Sequence, residues 1–279
     1  MGELFVVATP IGNLEDVTLR ALRVLGEVDL VLAEDTRRTR VLIDRHGLKV
    51  RPLSLHAHNE AARVEKVLAV LDAGGSVALV SDAGTPLVSD PGERLVAAAL
   101  AAGHPVRPVP GPSAVLSALA VAGLPTSAFT FVGFLPRRAG ARDSLLEGLR
   151  DRPETLVLFE APRRVGATLR RLAEVLGNRP ACVALVLTKL HEQALRGPLA
   201  ELADHFEEGA RGEVTIVVHG AEEAPAVRDV AELDPRIQAL LAAGERAREI
   251  AAKLARESGL PKRAIYNRTL ELRPRGPAG

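Results

Sequence analysis

Short runs of apolar, β-branched residues alternate along the chain with longer stretches whose apolar positions recur every three or four residues. Residues 4–8, 29–33, 76–80 and 106–109 show the first pattern and are expected to be buried strands. Helices are expected between them, over residues 16–25 capped by Asp16, 37–46 ending at Gly47, and 59–73 stopped by Gly74 and Gly75. A fourth helix is expected over 91–102, with Asp90 as its cap, Pro91 as its first residue and Glu93 as a capping-box partner. Strand and helix in strict alternation predict a largely parallel sheet with helices on its faces.

Beyond the Pro-Gly-Pro turn at 110–112 the rhythm changes. A small-residue helix over 113–122 precedes a strand at 129–134 and a short helix at 142–149. Strands at 155–159, 183–187 and 214–218 follow, with a helix over 163–176 between the first two. The density of Pro and Gly near 110–127 puts a boundary there, dividing an N-terminal α/β domain, 1–112, from a second α/β domain, 113–222. The stretch AEEAPAVRDVAELDP reads as a linker to three helices at 235–242, 245–257 and 261–270, a basic module spanning 235–272. The turn Ser258-Gly259-Leu260-Pro261 between its last two helices fits a helix-turn-helix, and equally a helical cap or a dimer contact.

Composition narrows the class. A chain of 279 residues with 47% hydrophobic and 25% charged residues, no apolar run near eighteen, and a strand at its N-terminus is expected to be a cytoplasmic globular protein with no signal peptide or membrane span. The single cysteine, Cys182, has no partner for an internal disulfide, in keeping with a reducing compartment. Net charge is only +1, but residues 244–279 carry nine Lys or Arg against four Asp or Glu, which leaves the first 243 residues mildly acidic. A basic tail on an acidic body points to a polyanionic partner; the plainer reading is a solvated surface in an Arg-rich composition, with five Lys among the 36 cations.

Candidate chemistry gathers where strands end. Ser76–Val80 empties into Ser81-Asp82-Ala83-Gly84-Thr85-Pro86, a loop with a carboxylate, two hydroxyls and a glycine that lets a ligand approach. Leu-Val-Ser-Asp recurs eight residues later, and there Asp90 reads as helix punctuation. Thr9-Pro10-Ile11-Gly12-Asn13 follows the first strand; it is neither a dinucleotide fingerprint nor a P-loop, and the two loops are expected to face each other across a gap. Glu34-Asp35-Thr36-Arg37-Arg38 offers carboxylates and phosphate-binding guanidinium groups, although Arg38 and Arg40 read more simply as a solvated helix face. The pair His56 and His58 lacks further ligands at zinc spacing, so no metal is expected. Arg137 and Arg138 lie in a basic loop, expected to be mobile, that suits an anionic chain. Phe159-Glu160-Ala161-Pro162-Arg163 and Thr188-Lys189-Leu190-His191-Glu192 each follow an apolar strand and supply acid, base and cation to a shared cleft.

Together, TPIGNLEDVTLRAL, AEDTRRT, LHAHNE, LVSDAGTPLVSDPG, PVPGPSA, GFLPRR, FEAPRRV, LTKLHEQALRGPL and GEVTIVVHG, with KRAIYNRTLEL near the end, resemble the ribosomal small-subunit methyltransferase I family of the tetrapyrrole methylase superfamily. TPIGN and SDAGTP stand where branches acting on corrinoids, sirohaem or diphthine have a glycine-rich first loop and a Gly-Asp-Pro loop. The resemblance implies two α/β domains with S-adenosylmethionine in the cleft between them, a homodimer, and 2′-O-methylation of a cytidine in 16S ribosomal RNA near the decoding centre, free or in the 30S subunit. It carries cofactor contacts to Pro10, Ser81, Asp82, Thr85, Ser113, Ala114 and Phe159. For that chemistry Asp35, Glu160 and Glu192 are candidate bases, with Lys189 or Arg163 steadying a phosphate. Arg37, Arg137, Arg138, Arg163, Lys262, Arg263 and Arg268 are candidate RNA contacts. The competing readings are a methyltransferase on a small tetrapyrrole-like macrocycle and an RNA-binding module without catalysis.

Overall fold

The structure is a computed structural model that describes residues 2–56, 59–222 and 229–273; His58 and part of the expected linker fall outside them. Five strands, β1 (Glu3–Val7), β2 (Leu30–Ala33), β3 (Pro52–Ser54), β4 (Ser76–Val80) and β5 (Val106–Val109), form an all-parallel sheet in the order β3-β2-β4-β1-β5. Both faces are covered, as a parallel sheet requires. Along β4, Ala78 and Val80 pack with Ala21, Val24 and Leu25 of α1 (Leu19–Glu27) and Leu42 of α2 (Thr36–Arg45). Val77 and Leu79 point to the other face, against Val67 and Leu71 of α3 (Glu60–Asp72) and Leu95 and Ala99 of α4 (Glu93–Ala101). The chain leaves β1 toward one edge and β4 toward the other, so their carboxyl ends lie together at a topological switch point, where open α/β sheets bind ligands.

Two helix starts differ from the sequence reading. Asp16 ends a short 3-10 turn capped by Asn13, and α1 is capped by Thr18, whose hydroxyl accepts from the Ala21 N–H. The fourth helix begins at Glu93, not Pro91. Its cap position is Gly92 at φ 126°, and its open N–H groups at Arg94 and Leu95 donate to the buried Glu60 carboxylate from α3, at 3.1 and 3.4 Å. Asp90 is therefore released from capping.

The second sheet follows the order β6-β7-β10-β8-β9, built from β6 (Phe129–Phe134), β7 (Thr155–Glu160), β8 (Pro180–Leu185), β9 (Gln193–Pro198) and β10 (Val214–Val218). Only β6 and β7 pair in parallel there, so the parallel expectation drawn from the first half holds for the first sheet, and the changed rhythm of the second half corresponds to a mostly antiparallel one. The strand β9 and the helix α8 (Leu199–His205) that follows it have no counterpart in the sequence reading. β8 stops at Leu185, short of the expected 187, because Val186 and Thr188 turn into the left-handed region at φ 42° and 66°. α5 (Ala114–Ala122) packs Val115, Ala118, Leu119 and Ala122 on one sheet face; α6 (Ala139–Leu149), α7 (Val165–Leu176) and α8 pack on the other. α6 absorbs much of the stretch read as a mobile basic loop.

Both sheets belong to one compact unit, 1–221, and residues 222–279 form a second. The described part of the second unit holds α9 (Asp234–Ala242), α10 (Ala247–Ser258) and α11 (Lys262–Glu271) around Leu233, Ile237, Ile250, Ala251, Leu254 and Ile265. Gly259, at φ 70°, makes the turn between α10 and α11. No helix among the described residues is long and apolar enough to cross a membrane.

Candidate active site

The loops after β1 and β4 meet directly. Thr9 and Gly84 exchange both backbone hydrogen bonds at 2.9 Å, with Gly84 at φ 78°, so there is no gap between the two turns. The expected ligand space lies beside them instead, facing the second sheet. It is a cleft of about 450 Å³ walled by Ile11, Arg38 and the 82–90 loop on one side and by Ser113–Val115, Phe134, Phe159–Pro162 and Gly212–Thr215 on the other. The loop after β1 also touches the second sheet's side directly: Gly12 presses on the turn after β8, where a Cβ would fall 2.6 Å from Lys189 Cγ, and the Asn13 N–H donates to Thr188 Oγ1 at 3.0 Å.

Of the residues expected to touch a cofactor, Asp82, Thr85, Ser113, Ala114 and Phe159 line this cleft. Ser81 is buried beneath it, its hydroxyl within 3.3 Å of the Ala83 and Gly84 carbonyls and also alongside Asp90. Pro10 does not reach the wall; its neighbour Ile11 does. Thr85 donates to the Pro112 carbonyl at 3.3 Å, fastening the loop to the turn that enters α5. The first N–H groups of α5, at Ala114 and Val115, open onto the cleft, while Ser113 caps Leu116.

Three carboxylates converge on the first wall. Asp82 accepts the Asp35 N–H at 2.8 Å and faces Arg38 Nε at 3.4 Å. Asp90 is held by a strained turn in which Leu87 and Ser89 sit at φ 74° and 69°. Burial raises its carboxyl to about pKa 6; the Asp82 charge adds to the rise, and the Ser81 hydroxyl opposes it. Glu34 is raised as well, first by burial and then by Asp90 and Asp82. Sequence reasoning assigned neither Asp90 nor Arg38 to the site. The repeated tetrapeptide was a signal for the first, but a cap explained it too readily.

The candidate bases fare differently. Asp35 caps α2 and is gripped by Arg37 at 2.6 and 3.0 Å, which lowers its carboxyl to about pKa 2, so it is a poor proton acceptor. Arg37 is thereby partnered too. The Glu160 carboxylate is fully buried and accepts from Thr168 Oγ1 at 2.6 Å and the Ala161 N–H at 2.7 Å, a structural bracket at the end of β7. Glu192 folds back on the Thr188 N–H at 2.5 Å, and Lys189 pairs with Glu213 at 2.6 Å. Neither Lys189 nor Glu192 lines the cleft. Arg137, Arg138 and Arg163 are exposed and carry no side-chain partner among the described residues, and Lys262 and Arg263 are exposed at the start of α11. Arg268 is corrected: it grips Asp234 at 2.5 and 2.8 Å and Glu271 at 2.8 Å, tying α11 to α9, and is not a free cation.

Phe159 anchors an aromatic wall, 5.0 Å from Phe131 edge-on and 5.7 Å from Phe134, which is 55% exposed at the rim. A flat heteroaromatic ring could lie on that wall. Asp82 and Asp90 suit a cationic centre, and Arg38 and the α5 N–H groups suit a carboxylate. The cleft therefore fits a ligand with an aromatic end and a charged, zwitterionic end.

Comparison with known proteins agrees. Residues 3–203 match the model of the Tetrapyrrole (Corrin/Porphyrin) Methylases. Ribosomal RNA small subunit methyltransferase I of Mesorhizobium japonicum is 48% identical over 273 residues, 97% of this chain and 92% of that protein. The protein of the same name from Thermotoga maritima is 48% identical over 223 residues, 80% of this chain and the whole of that one. Uroporphyrin-III C-methyl transferase from Thermus thermophilus, complexed with S-adenyl homocysteine, shares the fold, with a TM-score of 0.54, 22% identity, and coverage of 77% of this chain and 97% of that one. The chain belongs to the tetrapyrrole methylase family and, within it, to the S-adenosylmethionine-dependent ribosomal RNA small subunit methyltransferase I family.

Proposed function

We propose that this chain methylates the 2′-oxygen of a cytidine ribose in 16S ribosomal RNA, near the decoding centre, on free RNA or on the 30S subunit. The observation that carries the reading is the 48% identity, across nearly the whole of both chains, with a relative named as a small-subunit ribosomal RNA methyltransferase. S-adenosylmethionine, proposed to occupy the cleft, supplies an electrophilic methyl carbon on a sulfonium. Its size suits a cleft of about 450 Å³, within the roughly 300–1,000 Å³ usual for small-molecule sites.

The protein's part is orientation and proton removal. Holding an acceptor in line with the transferring group is worth roughly 7–11 kcal/mol of barrier. Rigid walls supply that here: the Thr9–Gly84 bridge, the Thr85–Pro112 bond and the Phe159 cluster. A ribose hydroxyl must also lose its proton as the new bond forms, and Asp90 is the carboxylate suited to take it. It lines the cleft, is held by a strained turn, and at about pKa 6 is ionised yet basic near neutrality. Asp82, beside Arg38, orients the cofactor.

The Thermotoga relative ends within 223 matched residues, a length that holds the first unit and leaves no room for the second. The first unit is therefore proposed to recognise the substrate, with Lys262 and Arg263 of the second adding affinity. A cytoplasmic homodimer belongs to the same reading, and sedimentation of the purified chain measures it. The decisive experiment is mass mapping of 16S RNA from a strain lacking the gene. One 2′-O-methyl group should disappear and return on complementation; an unchanged map overturns the reading.

A further inference from the structure

Four strands of the second sheet bring their ends to one rim. Phe134 of β6 pairs with Phe159 of β7, Glu160 pairs with Val214 of β10, and Val214 pairs with Leu185 of β8. The segments that leave this rim carry, in sheet order, Arg137 and Arg138 after β6, Arg163 after β7, Arg211 before β10, and Lys189 with His191 after β8. Arg137, Arg138, Arg163, His191 and Arg211 are exposed, and their side chains have no hydrogen-bond or ion-pair partner among the described residues. The carboxylates on these segments are Glu213, paired with Lys189, Glu192, which accepts the Thr188 N–H, and the exposed Glu207 and Glu208, which precede Arg211.

The row borders the methyl-transfer cleft. Phe134, Phe159–Pro162 and Gly212–Thr215, from the same strand ends, form the cleft's second wall. Gly212 also belongs to a second hollow of about 450 Å³ lined by Val186, Lys189, Leu190, His191 and Arg211. The two hollows thus meet at Gly212, next to Arg211. Strands about 4.8 Å apart put β6 and β8 roughly 14 Å from each other, a row long enough to meet several consecutive phosphates of one strand.

We propose that this rim is the track of a single RNA strand. Phosphates flanking the target nucleotide run from Arg137 and Arg138 past Arg163 to Arg211, and a neighbouring nucleotide enters the hollow under Arg211 and His191. The target ribose is thereby presented at the cleft mouth. The proposal rests on the RNA-methylating reading and adds to it the path of the strand and two contacts, Arg211 and His191. Guanidinium groups suit the role because each can hold a phosphate through two N–H donors. A track one sheet-edge wide admits a strand whose nucleotides are unpaired, which is the form in which RNA sequence is read.

The test uses the full chain and a single-stranded RNA of about 12 nucleotides, with binding measured by fluorescence anisotropy across a salt series. Each phosphate contact contributes about 0.7 to the slope of log K against log salt. The variant R137Q/R138Q/R211Q should lose about 2 from that slope and bind at least tenfold more weakly at low salt. Its calorimetric affinity for S-adenosylmethionine should be unchanged, since none of the three lines the cofactor cleft. K262Q/R263Q should change the slope less. A triple variant with the wild-type slope overturns the track, and wild-type methylation of 30S particles in the same preparation would leave the functional reading standing. Wild-type chain that binds no single strand, or prefers a duplex of equal length, also overturns it.

Discussion

Leu-Val-Ser-Asp stands at residues 79–82 and again at 87–90, and the two copies can be compared residue by residue. In the first, Leu79 and Val80 are strand residues laddered between β1 and β2, and Asp82 emerges from the strand end to hold the Asp35 N–H and Arg38. In the second there is no neighbouring strand, Leu87 and Ser89 take left-handed backbone, and Asp90 is packed half-buried against the cleft. The copies nevertheless touch: a Cβ on Gly92 would fall 2.6 Å from Leu79 Cδ2 and 2.9 Å from Leu87 Cδ2. Backbone pairing fixes one copy and side-chain contact fixes the other. The same four side chains thus yield the carboxylate proposed to orient the cofactor and the one proposed to accept a proton.

The largest expected effect separates the two aspartates. D90N should lower turnover at saturating cofactor by roughly 10²–10⁴, with cofactor affinity within a few-fold of wild type by calorimetry. D82N should do the reverse, weakening cofactor binding and sparing turnover at saturation. Wild-type activity should rise through about pH 6, following ionisation of Asp90, whereas D90N should show no such limb. Stability carries the opposite sign. Because the folded carboxyl titrates at about 6 and an unfolded one near 3.8, the cost of ionising Asp90 is absent below about pH 4 and fully present above 6. D90N should therefore be the more stable protein at pH 7, by about 1 kcal/mol once residual solvent screening is allowed for, and no more stable at pH 4. Equal turnover in D90N and D82N would break the comparison.

That contrast also marks what was legible in the chain. The strand at 76–80, its loop and Asp82 follow from local pattern, since a run of Val, Ala and Leu ending in Ser-Asp-Ala-Gly-Thr-Pro has few alternatives. Asp90 was not legible, because Asp-Pro-Gly-Glu carries every local signal of a helix start. The start moved to Glu93 through a distant residue, Glu60, which no local window contains. β9 was missed for a related reason: Gln193–Pro198 is an edge strand with weak alternation, held by pairing with β8. The meeting of the cleft walls was legible only as a set of strand-end motifs, and that Thr9 would bond to Gly84 rather than face it across a gap needed the structure.

A middle-sized effect probes the joint between the copies. G92A asks an L-residue to hold φ 126° while its methyl meets two leucine methyls. The leucine ends can shift, but the backbone cannot relax without moving the Asp90 turn. A loss of about 2–4 kcal/mol in urea unfolding is expected, together with reduced turnover. If G92A keeps wild-type stability, the two copies are less tightly joined than their packing indicates.

The smallest effect is the sharpest discriminator, because it places the same substitution in both copies. Ser89 sits at φ 69° and is exposed, so its side chain costs roughly 1–2 kcal/mol of left-handed strain. Glycine would relieve that strain but would add backbone entropy to the unfolded chain, about 0.5–1 kcal/mol in the other direction. S89G is therefore expected to be neutral or stabilising by less than about 1 kcal/mol. Ser81 has no such strain to relieve. Its buried hydroxyl, with one proton to share, lies 3.3 Å from the Ala83 and Gly84 carbonyls and beside Asp90; since Gly84 O also accepts the Thr9 N–H, S81G would chiefly deprive Ala83 O and Asp90 of a donor, costing about 1–3 kcal/mol. Thermal melts of the two variants side by side should thus differ, S81G falling and S89G staying level or rising slightly, from one identical change. Equal destabilisation would mean that the second turn is not strained as its dihedrals imply, and that the position of Asp90 is fixed by burial alone.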